Sequence, residues 1–161
     1  MSIAAVPSFP LLEEPGEWDA LTLMAATIAL EAEGEPAQGQ IAVGFVVMNR
    51  VHGWNRSVHQ VILGADGKAY DDSKPFEVFS AWNDDYRVQA QARLSALGAY
   101  EPAWKAAAIS MWSLAPDPTN RAVFYLNVPL TRKIRPNHDL PSWYADDKVT
   151  AVIGRHTFLI A

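Results

Sequence analysis

Between Gln38 and Val51 the chain reads QGQIAVGFVVMNRV, apolar on almost every side of a helical wheel. A helix of that composition cannot turn a face to water, so it has to run through the centre of a fold. Its most apolar stretch, Ile41 to Met48, falls far short of the roughly 20 residues of a membrane span. The rest of the chain must therefore wrap this segment. At 161 residues there is material for one domain and one core. The expected organisation is a lead-in over residues 1–17 bearing Pro7, Pro10 and Pro15, followed by a single domain over 18–161.

Around the central segment the periodicity is mostly helical. Leu21, Met24, Ala25, Ile28 and Ala29 fall at the i, i+3, i+4, i+7, i+8 spacing of an amphipathic helix, expected from about Trp18 to Glu31. Gly34 and Pro36 stop it, one as a helix cap and the other by biasing Glu35 away from helical dihedrals. Further helices are expected at Val58 to Leu63, Asp85 to Leu97 and Pro102 to Leu114, the last placing Trp112 in an apolar helix. Asp66, Asp71 and Asp72 lie in a polar run that reads as a solvated flap, and their spacing does not match a calcium loop. Short β-like runs come late, at Ala122 to Leu126, Val149 to Ile153 and His156 to Ile160. The fold class is α+β, mainly helical, with a small β portion late in the chain.

Composition removes several functions. There is no cysteine, which excludes disulfides, thiol nucleophiles, Cys-zinc sites and iron–sulfur ligation. The net charge of −5 argues against a nucleic-acid binder working by bulk charge. Four histidines, at 52, 59, 138 and 156, show no metal-binding spacing, so no metal or cofactor is expected.

Glu31, Glu33 and Glu35 crowd one helix stop. Such a cluster reads first as a solvated acidic turn. Glu31 departs from that reading because it sits roughly 90° from the centre of the apolar stripe, on the border of the buried face. The negative end of the helix dipole and two neighbouring acids both disfavour its ionised form. A carboxyl kept protonated near neutral pH can act as a general acid, for instance at a glycosidic oxygen. Glu35, off the helix, is the candidate second acid, or a residue that orients a loop by accepting backbone N–H groups. Asn49 and Arg50 read as the polar edge of the central helix, with Arg50 favoured by the dipole there.

The run ALEAEGEPAQGQIAVGFVVMNRV resembles the EARGE, EGQ-A-V and NRV pattern of SleB-type cell wall hydrolases, the spore-cortex lytic enzymes and their phage endolysin relatives. FSAWN at Phe79 to Asn83, DPTNRAVFY at Asp117 to Tyr125 and IGRHTF at Ile153 to Phe158 are similar to three further blocks of that family, in order. The chain departs from the pattern at Glu33, at Ala122 and Val123, and at Leu159. The resemblance implies a lysozyme-like fold, cleavage of the peptidoglycan glycan strand, and Glu31 as the catalytic glutamate. Gln40, Ser80, Trp82, Tyr125 and Trp143 are the candidate substrate contacts, the aromatic ones by stacking on sugar faces. Gln40 and Asn49 could instead hold the Glu31 loop by hydrogen bonds, and Trp82 and Tyr125 could equally be core.

Together these readings point to cleavage of the bond between N-acetylmuramic acid and N-acetylglucosamine. It would end either hydrolytically, with a second carboxylate, or as a lytic transglycosylase. The convincing acids number one, which favours the transglycosylase. The competing class is a noncatalytic glycan-binding virion module. The expected partner is the peptidoglycan glycan strand, met by a monomer that binds no nucleic acid and inserts in no membrane. The opening residues lack the positive charge of a secretory signal. This suggests an endolysin made in the host cytoplasm and released through a holin, or a virion-associated lysin.

Overall fold

The computed structural model describes residues 5–64, 79–82 and 87–161. The flap expected around Asp66, Asp71 and Asp72, and the start of the helix expected from Asp85, lie outside them. The central segment is helix α2, Ala37–Trp54, and it is joined by α1, Ala20–Ala32. Asp19 caps α1 by accepting from the Thr22 backbone at 3.0 Å and from its hydroxyl at 2.6 Å, satisfying a first-turn donor that would otherwise have no partner. Helix α1 is buried from Thr22 through Leu30, so it is not the one-faced amphipathic helix its spacing predicts. Off the stripe, Thr22, Ala26 and Thr27 are small enough to let neighbouring helices close over them, and Leu23 and Leu30 are apolar and buried as well.

Those neighbours are α3, Val58–Leu63, α4, Arg87–Leu97, and α5, Glu101–Met111, with α5 packing along both α1 and α2. Helix α5 ends before Trp112, which caps it and is 58% exposed, followed by Ser113 at φ +50°. The apolar helix expected through Leu114 is therefore one turn shorter. Helix α2 meets α5 at Gly44, where a Cβ would collide with the Ser110 side chain and crowd Ile28. Residues ahead of α1 also join the core: Phe9 is buried and stacks on Trp104 with ring centres 5.5 Å apart.

The late β portion is a three-stranded antiparallel sheet in the order β1-β3-β2, from β1, Phe124–Leu126, β2, Val149–Ile153, and β3, His156–Leu159. Every residue of the central strand is buried. Phe158 packs with Ala42 and Val46 of α2 and with Ala122, so the sheet rests on the central helix. A further helix absent from the expected set, α6, Val128–Ile134, follows β1. It contains no buried residue, so it left no burial periodicity to read. Its signal is local: Asn127 accepts from the Leu130 backbone at 3.0 Å and proline stands in the first turn. Among the described residues no helix is long and apolar enough to cross a membrane.

The α2–α5 contact yields the first prediction. Gly44→Ala should destabilise the domain by about 1–3 kcal/mol through overpacking, read as a lowered thermal midpoint, while Gly53→Ala, with open space around its Cβ, should change it little.

Candidate active site

Glu31 lies in the last turn of α1, where the helical body meets the sheet. Three donors from two different segments converge on its carboxyl. Tyr125 of β1 donates its hydroxyl to Oε2 at 2.9 Å. On the other side the Ala81 backbone N–H donates to Oε1 at 3.3 Å and the Ser80 hydroxyl at 3.4 Å. The 79–82 segment is seated by residues one helical turn apart on α1: the Trp82 indole N–H donates to the Thr27 hydroxyl at 2.9 Å, four positions before Glu31. The Phe79 N–H bonds the Ile62 carbonyl at 3.1 Å.

Burial dominates the acidity of Glu31. The side chain keeps some solvent contact but is densely surrounded, and desolvation raises its pKa above the usual 4.5 against the opposing pull of the Tyr125, Ala81 and Ser80 donors and the Arg50 charge. Two of those donors are long, and long hydrogen bonds compensate little for lost hydration. Burial is thus the largest cause of the shift. Tyr125 is likewise pushed well above its usual value by burial and by the Glu31 carboxyl, so it stays a hydroxyl donor throughout.

Glu35 has the opposite environment. It is 6% exposed, and its two oxygens accept from the Arg155 backbone at 2.9 Å and from Arg155 Nε at 2.6 Å. Burial alone would raise it, but these bonds and the nearby His156 and Arg155 charges hold its carboxyl below the usual range. It is a clamp joining the α1–α2 corner to the β2–β3 turn. Gly154 in that turn has φ +59°, and any Cβ there would run into Glu35 Oε2.

The remaining candidates divide by position. Gln40 is buried and donates to the Glu35 carbonyl at 3.2 Å and to the Tyr100 hydroxyl at 3.1 Å, which makes it a support of the Glu31–Glu35 loop. Ser80 is exposed at the rim of the Glu31 carboxyl. Trp82 is only 8% exposed, wedged edge-on against Trp18 with ring centres 5.7 Å apart, so most of it packs into the core. The Tyr125 ring is enclosed by Phe79, His156 and Phe158 at 6.3, 4.9 and 5.8 Å, so its hydroxyl faces the acid while its ring packs. Trp143 is half-buried against Phe124 at 5.4 Å.

Asn49 does not reach the Glu31 loop. Its amide bonds Asp117 Oδ2 at 3.0 Å and the Ala122 carbonyl at 2.9 Å, and Asp117 also accepts from the Thr119 and Arg121 backbones at 2.8 and 3.0 Å. The DPT block is therefore a turn that presents β1. Arg50 is not a solvated helix edge either: it is 5% exposed, with Nε donating to the Val123 carbonyl at 2.6 Å. Two parts of the site were missed from the sequence, the Ala81 backbone donor and the Arg155 partner of Glu35. A backbone N–H leaves no residue-type signal, and the Glu35–Arg155 pair spans 120 positions.

A family model described as Cell Wall Hydrolase matches residues 34–159. The chain belongs to the cell wall hydrolase family. The match opens just past Glu31 and takes in Glu35, the 79–82 segment, the DPT turn and the sheet. Among solved structures, the catalytic domain of the Bacillus cereus SleB protein is 27% identical, with 87% of this chain and 88% of that chain covered, at a TM-score of 0.58. The catalytic domain of the germination-specific lytic transglycosylase SleB from Bacillus anthracis shares the fold at a TM-score of 0.52 and 24% identity, covering 91% of this chain and 99% of that one. No curated protein sequence matches the chain. The SleB-type resemblance of the motifs and the mainly helical α+β class agree with these findings, and the protein is an enzyme of peptidoglycan breakdown.

The clamp carries its own pH signature. A carboxyl with a depressed pKa stabilises the fold fully above its unfolded value and loses that contribution as pH falls through the folded value. Glu35→Gln should cost about 1–3 kcal/mol at neutral pH, and its deficit against wild type should narrow as pH drops below 4.5, followed by urea midpoints across that range.

Proposed function

We propose that the enzyme is a lytic transglycosylase in which Glu31 serves first as acid and then as base. The carrying observation is the Glu31 carboxyl, raised in pKa by burial and gripped on both oxygens by Tyr125, Ala81 and Ser80. In the first half, protonated Glu31 gives its proton to the glycosidic oxygen between N-acetylmuramic acid and N-acetylglucosamine, and the bond to the muramyl anomeric carbon breaks. The new carboxylate is met by three donors already in place, a preorganised arrangement that needs no movement at the moment of reaction. In the second half Glu31 takes the proton of the muramyl C6 hydroxyl as that oxygen closes on the anomeric carbon. The product is a 1,6-anhydro sugar, Glu31 is again protonated, and no water is consumed.

Glu35 supports this ending over hydrolysis. A water-activating carboxylate must be basic and reach the sugar, whereas Glu35 is buried, ion-paired with Arg155 and held below the usual carboxyl range, which makes it a weak base. The SleB relative from Bacillus anthracis is described as a lytic transglycosylase, which points the same way. The endolysin context implied by the motif resemblance goes with this proposal.

Glu31→Gln keeps the shape and removes the transferable proton, so turnover on purified sacculi should fall by about 10²–10⁴. A raised pKa stabilises the fold below the unfolded value of 4.5 and loses that contribution as pH climbs through the folded value. The variant should therefore be at least as stable as wild type at neutral pH. Mass spectrometry of the released muropeptides should find 1,6-anhydro ends, one water lighter than reducing ends. Reducing ends alone would mean a hydrolase, and an active Glu31→Gln would end the assignment.

A further inference from the structure

Arg50 is a buried cation that the proton transfer above does not use. Its guanidinium carbon lies 4.9 Å from the Phe79 ring centre, 5.2 Å from that of Trp54 and 5.8 Å from that of Phe124, and its Nε donates to Val123. Removing a guanidinium from water is costly, and a hydrocarbon side chain of similar volume would fill the same space without that cost. Cation–π contacts return only part of it. Burial lowers the Arg50 pKa to about 10, against the opposing electrostatic pull of Tyr125 and Glu31, so it remains cationic at neutral pH.

The cage has a direction. Phe79 immediately precedes Ser80 and Ala81, which hold Glu31 Oε1. Val123 and Phe124 immediately precede Tyr125, which holds Oε2. Arg50 thus touches the root of both arms of the carboxyl cradle, one through a ring face and the other through a backbone carbonyl and a second ring.

We propose that Arg50 is a positioning residue for Glu31, fixing both arms of its cradle and setting a buried positive charge beside the carboxylate formed when the proton leaves. The proposal rests on Glu31 being the proton donor. Among the described residues, the groups facing Glu31 are Arg50 from α2, Tyr125 from β1 and Ser80 from the 79–82 segment. Glu33 is turned to Arg93 at 3.0 Å and Glu35 to Arg155. His156, whose ring edge meets Tyr125, has its pKa lowered by burial and is neutral at pH 7.

A nearby cation favours the ionised form of Glu31, so removing it lifts the Glu31 pKa further. A donor that must start protonated loses activity as pH rises through its pKa, so the alkaline limb of kcat moves upward.

The test measures kcat and KM against pH on soluble glycan oligosaccharides for wild type, Arg50→Met and Arg50→Lys, with thermal melts confirming folding. Arg50→Met should shift the alkaline limb up by about one pH unit and lower the optimum kcat about tenfold or more, with KM within about threefold. Arg50→Lys keeps the charge but not the planar fork; its limb should stay in place and its kcat fall between the other two. A folded Arg50→Met with an unmoved limb overturns the proposal. Should Arg50→Met not fold, Arg50→Lys decides: wild-type kcat, or a shifted limb, overturns it. Failure of the Glu31 reading is separate, because it shows as activity surviving Glu31→Gln.

Discussion

The 2.9 Å hydrogen bond from Tyr125 to Glu31 joins the two layers of the molecule. Glu31 belongs to the helical body and Tyr125 to the sheet, so the bond can form only if both are seated correctly on α2. Helix α2 does that seating because nearly all its circumference is apolar. It takes α1 and α5 on one side and Phe158 of β3 on the other. Tyr125 then lies opposite Phe158 in the ladder, and the register of one strand pair determines whether a hydroxyl meets the acid. A slip of one residue would turn Tyr125 to the other face of the sheet.

The same fold gives two nearby glutamates opposite characters. Glu31 and Glu35 are both removed from water, yet Glu31 is met by two long hydrogen bonds and one short one, while Glu35 is met by an arginine through two short ones. Desolvation wins at the first and charge pairing at the second. One carboxyl is left able to exchange a proton, and the other is committed to holding the corner beneath it.

Much of this was legible in the chain. The all-round apolar run of α2, the stop at Gly34 and Pro36 and the β-like runs of β2 and β3 are local signals, and they correspond to elements found within a few residues of their expected ends. Glu31 could be singled out because helical spacing places it at the edge of a buried stripe. What was not legible depends on distant partners. Nothing near Trp82 shows that Thr27 will take its indole N–H, so core and cleft readings stay balanced until the chain is folded. Arg50 looks like a polar helix end because its rings come from Phe79 and Phe124, far along the chain. Helix α6 shows the converse limit, since a short helix with no buried residue has no pattern beyond its cap.

The proposed chemistry requires the Glu31 carboxyl to hold its proton more tightly than an ordinary glutamate because it is buried. Carbon-13 NMR titration of the Glu31 side-chain carboxyl in the intact protein, assigned by comparison with Glu31→Gln, measures that directly. The Glu31 midpoint should lie above the ordinary 4.5, with Glu35 titrating below it. A Glu31 midpoint at or below 4.5, or an inverted order of the two glutamates, would contradict it.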